Sequence, residues 1–205
     1  MQKVVTLLYK AIRKVILLVR NGMDKLIAWI ILYGNNVKFG KFETNGFPYV
    51  SVAQGGSCII GDDFQMNNGN IGNPIGRPQR CIFFVDRGAK LVIGESVGMS
   101  STAIIAHQRI EIGDYVKIGG GVCIYDTDFH SLDAESRRKP ESDIKLKRNK
   151  PVRIGDNVFI GAHSTILKGV EIGENSIIGA CSVVTKSIPA NEIWAGNPTQ
   201  FLKKI

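Results

Sequence analysis

The chain has 205 residues, 44% of them hydrophobic and 21% charged, a balance that suits a packed domain and excludes bulk disorder. Its 23 glycines follow no three-residue period, which excludes collagen. Lys and Arg outnumber Asp and Glu by 26 to 18, a net charge of +8; this points to an anionic partner without choosing among nucleic acid, lipid or a phosphorylated small molecule.

Residues 1–33 form a helical segment. Lys3, Thr6, Lys10, Arg13, Lys14, Arg20, Asn21, Asp24 and Lys25 recur at three- and four-residue steps and make a narrow, mostly basic stripe. The remaining face is broad and apolar, through Val4, Leu8, Ile12, Val15 and Val19. Asn21-Gly22 is expected to break the segment into two helices. No uncharged run approaches the ~18–20 residues of a membrane span. Two roles fit the segment: it caps the main domain or packs in an oligomer, or it touches an anionic membrane surface.

From residue 34 the sequence changes character. Ile-Gly pairs punctuate it, including Ile60-Gly61, Ile71-Gly72, Ile93-Gly94, Ile112-Gly113 and Ile160-Gly161. Ile154, Ile160, Ile166, Ile172, Ile178 and Val184 stand six apart. Four residues after each come Val158, Ser164, Val170, Ser176, Ser182 and Ile188. Ile112, Ile118 and Ile124 form an earlier run, and Ile93, Met99 and Ile105 another, offset by one. A period of six is neither helical nor that of a flat strand. It fits a chain that turns a corner every six residues, closing a triangular coil of about 18 residues whose turns stack at ~4.8 Å. The fold class is an all-β solenoid, a parallel β-helix over residues 34–205.

The period fails in two places. Residues 125–150 are polar and charged and form a loop extruded from the coil; such long loops are functional or disordered. Residues 62–80 are rich in Asn, Gly and Pro and form a second excursion. Residues 189–205 leave the repeat and cover the last coil as a short helix or strand. The cysteines, Cys58, Cys81, Cys123 and Cys181, form no C-x-x-C pair and read as reduced core thiols of a cytoplasmic protein.

Three histidines carry the chemistry to be weighed. His130 lies in the loop, where Asp126, Asp128 and His130 project to one side of an extended segment. A carboxylate beside an imidazole fixes its tautomer and raises its basicity, as a general base requires. A solvated loop histidine fits the same spacing equally well. His107 and His163 read as surface or subunit-contact residues. The three have no close pair, so no metal site is expected. The basic run around Lys147 has no interleaved aromatics, and no nucleic-acid partner is expected.

The ordered strings IGDNVFIGA, ILKGV-x-IG, IIGA-x-SVVTK and IPAN-x-x-x-AGNP, together with the loop histidine, resemble the hexapeptide-repeat acyltransferases. The likeness is to sugar O-acetyltransferases of the maltose and galactoside kind and those of bacterial surface-polysaccharide pathways. It covers about residues 54–205. The resemblance implies a left-handed β-helix, a homotrimer with active sites between subunits, acetyl-CoA as donor and a sugar or glycan acceptor. It makes His130 the general base, with Asp128 or Asp126 as our inferred orienting group. It places Phe159, Ala162, Ala180, Thr185, Lys186 and Lys203 along the donor. Where galactoside-type enzymes have an asparagine facing the acceptor, this chain has Ser100-Ser101, so Ser101 or Ser100 is the expected donor to the oxyanion, a role that a backbone N–H can also fill. N-acylation of an amino sugar, a silent scaffold and a zinc-dependent hydratase are the alternatives. The location implied is cytoplasmic, peripheral at the inner face of the membrane.

Overall fold

Each hexad folds as a short strand and a corner, and every third strand returns to the same sheet. The computed structural model describes residues 1–69, 73, 75–76 and 78–205; Ile71-Gly72 lies outside the described residues. The first sheet stacks Lys38–Phe39, Ser57–Ile60, Lys90–Ile93, Arg109–Ile112, Val152–Ile154 and Glu171–Ile172. The second stacks Phe42–Asn45, Phe64–Asn67, Gly98–Ser100, Lys117–Ile118, Phe159–Ile160 and Ile177–Ile178, then Glu192–Gly196 and Thr199–Lys204. The third stacks Tyr49–Val52, Ile82–Val85, Ala103–Ala106, Cys123–Tyr125, Thr165–Ile166 and Val183–Val184. Every pairing is parallel except the last, between Glu192–Gly196 and Thr199–Lys204. This is the left-handed parallel β-helix that the repeat implies.

The register stacks inward-facing apolar residues in columns through the interior. Ile93, Ile112, Ile154 and Ile172 stack in the first sheet, Met99, Ile118, Ile160 and Ile178 in the second, and Phe83, Ile104, Ile124, Ile166 and Val184 in the third. All are buried, and each contributes about 1.5–3 kcal/mol by leaving water. The fifth-position residues of the last six hexads are buried too. Their serines keep their hydroxyls bonded: Ser164 and Ser182 donate to the Gly179 carbonyl at 3.0 and 2.7 Å, and Ser176 to that of Pro189 at 2.7 Å. A small side chain that can bond the backbone therefore fits the inside of a corner.

Four expectations are corrected. Ile104, not Ile105, enters the third stack: the corner at Ser101 (φ 48°) is one residue tight, so the inward residue comes five positions after Met99 and not six. The excursion expected over 62–80 begins later, since Phe64–Asn67 is a regular strand. Cys181 is exposed, whereas Cys58 and Cys81 are buried and burial pushes both thiols up to about 12. The N-terminal segment is one helix, α1, Gln2–Gly34, running straight through Asn21-Gly22. Beyond Gly22, Ala28 and Leu32 join the core under the first coil. That burial outweighs the ~1 kcal/mol a mid-helix glycine costs.

Helix α1 is also held by polar contacts. Asp24 accepts from the Gly46 N–H at 2.9 Å, and Lys25 meets Glu43 at 2.7 Å. At the other end Trp194 continues the second stack after Ile178 and meets Phe201 edge-on, ring centroids 6.0 Å apart. The tail is thus a strand that extends the second sheet.

The two excursions leave at different corners. Ile124 pairs with Ile166, 42 positions on, whereas Ile166 pairs with Val184, 18 positions on. The extra length is the loop, which departs between the third and first sheets and holds two short helices, α2 (Ala134–Arg137) and α3 (Pro140–Leu146). The other excursion departs between the second and third sheets, after Asn67.

Phe64 and Phe83 meet in the interior, fully buried with centroids 6.2 Å apart. Truncating Phe83 to Ala leaves a void that two rigid coils cannot close. The expected loss is about 3–5 kcal/mol, read as a shift in urea or thermal unfolding.

Candidate active site

The loop is fastened at its base before it carries any chemistry. Asp126 is fully buried and accepts from the N–H groups of His107, Gln108 and Arg109 at 2.7, 2.8 and 2.7 Å. Asp128 pairs with Lys168 Nζ at 2.7 Å. Phe129 packs edge-on against Tyr125 and His107. His107 is itself clasped: its Nδ1 lies 2.7 Å from Asp86 Oδ2 and 2.9 Å from Lys147 Nζ, near the far end of the loop. Neither Asp126 nor Asp128 is bonded to the His130 ring, which corrects the expected role of both.

The partner of His130 is Asp143, on α3. Its Oδ2 lies 2.7 Å from His130 Nδ1, and its Oδ1 accepts from the Ser131 N–H at 2.7 Å. The bond to His130, then the one to Ser131, holds the Asp143 carboxyl below its ordinary value. Arg137, on α2, donates to the Ser131 carbonyl at 2.7 Å. Asp133 caps α2 by accepting from the Ser136 N–H at 2.7 Å. So a short helical turn returns a carboxylate to a histidine 13 residues earlier. With Nδ1–H donated to Asp143, the lone pair sits on Nε2. The imidazole is 70% exposed, so that nitrogen is open to an incoming group.

The other expected residues fall at two further places. Ala162 and Ala180 lie at the corner between the second and third sheets, linked through the Cys181 N–H and the Ala162 carbonyl at 2.8 Å. Gly119 and Gly161 precede that column; a Cβ on Gly161 would stand 2.4 Å from Ala180 N. Phe159 is half exposed beside it on the second sheet, in an open groove of about 320 Å³ with Asn67, Ser100 and Lys117. Thr185 and Lys186 are exposed at the loop's own corner, one coil beyond Leu167. The Lys186 ammonium lies 5.3 Å from the centre of the Trp194 ring. Lys203 is exposed on the last strand.

Ser101 is not available as drawn from the sequence. It is fully buried, its Oγ accepting from Asn73 Nδ2 at 2.8 Å. Ser100 is the serine that faces the groove, where Asn67 Nδ2 reaches its Oγ at 3.2 Å and Asn45 in turn donates to Asn67 Oδ1 at 2.8 Å. The period of six cannot align Asn45 and Asn67 with Ser100, because the pairing that brings them together spans 22 and then 33 positions.

His130 and the Ala162–Ala180 column do not meet within one chain. A whole flat of the third sheet separates their corners, roughly 15–20 Å at about 3.3 Å per residue. Among the described residues no cluster of three or more metal-ligating side chains occurs.

Residues 151–186 match the family described as bacterial transferase hexapeptide (six repeats). The chain carries that family's repeat. This hexapeptide chain is 40% identical over 124 residues to the putative acetyltransferase YJL218W of Saccharomyces cerevisiae, covering 60% of each. It is 37% identical over 89 residues to nodulation protein L of Rhizobium meliloti, covering 43% of this chain and 45% of that relative. The matches therefore span 60% or less of these relatives' own length. Among solved structures, the hexapeptide-repeat acetyltransferase VCA0836 from Vibrio cholerae is 32% identical, with a TM-score of 0.51 over 56% of this chain and 62% of that one. A maltose O-acetyltransferase from Clostridium difficile 630 is 25% identical, with a TM-score of 0.55 over 93% of this chain and 88% of that one. The resemblance read from the sequence is thus to the right set of proteins.

The depressed Asp143 carboxyl has a consequence for acid. Its bonds to His130 and Ser131 are fully present above the ordinary aspartate value and are lost as the pH falls through the lower folded value. The Ser131 amide resonance should therefore titrate with a midpoint below ~3.9, the ordinary value. A midpoint at or above it would contradict the His130–Asp143 geometry.

Proposed function

We propose that the protein transfers an acetyl group from acetyl-CoA to a hydroxyl of a sugar or glycan, with His130 as general base. One observation carries this: a loop histidine, extruded from a hexapeptide β-helix, has Nδ1 bonded to Asp143 and Nε2 open. Nε2 takes the proton from the acceptor hydroxyl as its oxygen attacks the thioester carbonyl. The carbon–sulfur bond breaks and the proton passes from His130 to the departing sulfur. Asp143 is a positioning residue: it holds the tautomer and offsets the charge of the imidazolium.

The donor fits the residues present. Ala162 and Ala180 are small and partly open at the corner between the second and third sheets, room for a narrow flexible arm. Phe159 offers an apolar wall beside it. Lys186 and Lys203 supply cations for phosphate, as point charges rather than forks. Acyltransferase names among the similar proteins, and acetyl-CoA in the described complex of the Vibrio cholerae enzyme, support the choice of donor. Ser100 or a backbone N–H faces the developing oxyanion.

The separation of corners supports a reading in which the protein works as a homotrimer. The His130 loop of one protomer faces the Ala162–Ala180 column of the next, so each active site needs two chains. The polar groove with Asn67, Ser100 and Lys117 then lies beside the reacting centre, suited to an acceptor rich in hydroxyls. The same base serves an amine, and an acceptor screen with sugars and amino sugars separates the two. This trimer acts on glycans in the cytoplasm.

Saturable acetyl-CoA binding near one site per chain, by calorimetry, is the expected first result. His130→Ala should then lower turnover by ~10²–10⁴-fold while leaving donor affinity unchanged. A variant keeping most of the wild-type turnover would remove His130 from the role.

A further inference from the structure

Helix α1 does more than cap the first coil. Only Asp24, Ala28 and Leu32 of its 33 residues are buried, four apart and so on one line of the helix. At 100° per residue, the same line continues towards the N-terminus through Leu17, Lys14, Lys10 and Lys3. The basic stripe and the β-helix are therefore on the same side of α1.

The opposite side has no partner among the described residues. Leu8, Ile12, Val15, Val19, Leu26 and Ile30 are each 52–61% exposed and stand within about a third of the circumference. The apolar face runs the full length of the helix, some 50 Å at about 1.5 Å per residue. It is wider than the ~100° stripe that a helix needs to pack on a core. Before Asp24 the helix carries Lys3, Lys10, Arg13, Lys14 and Arg20 and no acidic residue. Asp24 is itself turned onto the Gly46 N–H. Among the described residues no helix is long and apolar enough to cross a membrane.

From this we infer that α1 lies flat on an anionic lipid surface, its apolar face among the acyl chains and its basic stripe at the headgroups. The arrangement is self-consistent because the β-helix hangs from the basic side. With the apolar face in lipid, the coils stand in water, and Arg13 and Arg20, at the edge of the basic stripe nearest the apolar face, reach anionic phosphates without lifting the helix. A pairing of two helices would cover only part of so wide a face and would leave the basic stripe without a counter-charge.

The test uses the full chain and co-sedimentation with vesicles of phosphatidylcholine containing one third phosphatidylglycerol, against phosphatidylcholine alone. The protein should pellet with the anionic vesicles. Lys10→Gln and Lys14→Gln should each weaken binding by about fivefold, and Leu8→Glu with Ile12→Glu by more than about tenfold. Neither pair touches the coils, so the unfolding midpoint should not move. Trp29, on the outer side and 46% exposed, should shift its emission to the blue on vesicles. Absence of pelleting, or equal pelleting of all variants, overturns the inference. So does a Leu8→Glu/Ile12→Glu protein that changes its mass in sedimentation velocity but not its vesicle binding, which would make a second copy the occupant. Acetyl transfer is not the readout, so the outcome is independent of the proposed activity.

Discussion

The structure depends on coils lying one strand-spacing apart. Parallel pairing at ~4.8 Å stacks the inward side chains of each flat in columns and leaves almost no room where the chain turns. Gly161 shows the second limit: a single added methyl group would stand 2.4 Å from the backbone nitrogen of Ala180. Ser164, Ser176 and Ser182 show the same limit from inside, where each corner takes a small side chain whose hydroxyl bonds a carbonyl. Within such a stack an insertion can leave only at a corner, because one within a flat would break the pairing of two neighbours. Both excursions of this chain obey that rule.

Chemistry in a solenoid therefore belongs to what the corners project. The loop holding His130 is rigid for a reason: Asp126 takes three backbone amides at its root, Lys168 meets Asp128, and the Asp86–His107–Lys147 clasp holds its far end. Burial raises the Asp86 carboxyl, but the Arg87 N–H, His107 and Lys147 outweigh this and leave it below its ordinary value. The imidazole thus sits on a fixed mount while its reactive nitrogen stays open. That combination suits a base which must meet an acceptor arriving from outside the chain.

The two ends of the molecule have different tasks. The last coil is closed by Trp194 and Phe201, with Lys186 over the indole. The first is closed by the C-terminal third of α1, whose Ala28 and Leu32 enter the core. The rest of α1 extends past the coils with its apolar side outward, and the coils contribute nothing to covering it.

The sequence alone determined the coil, the interior residues from Ile112 onward, the extruded loop and His130. It could do so because a six-residue period follows directly from a flat and a tight corner that repeat with the same inward positions. It failed where contact, not spacing, decides. Asp143 could not be picked out as the partner of His130, because two short helical turns fold it back across 13 residues; local alternation favoured Asp126 and Asp128, which the fold uses to anchor the loop. Ile104 displaced Ile105 because the corner at Ser101 is one residue tight, and α1 stayed whole through Gly22 because burial beyond it outweighed a local preference. Whether Ser100 or Ser101 faces the groove was likewise set by a corner's φ. Side-chain direction at a turn depends on the coils above and below it, and only the tertiary structure contains them.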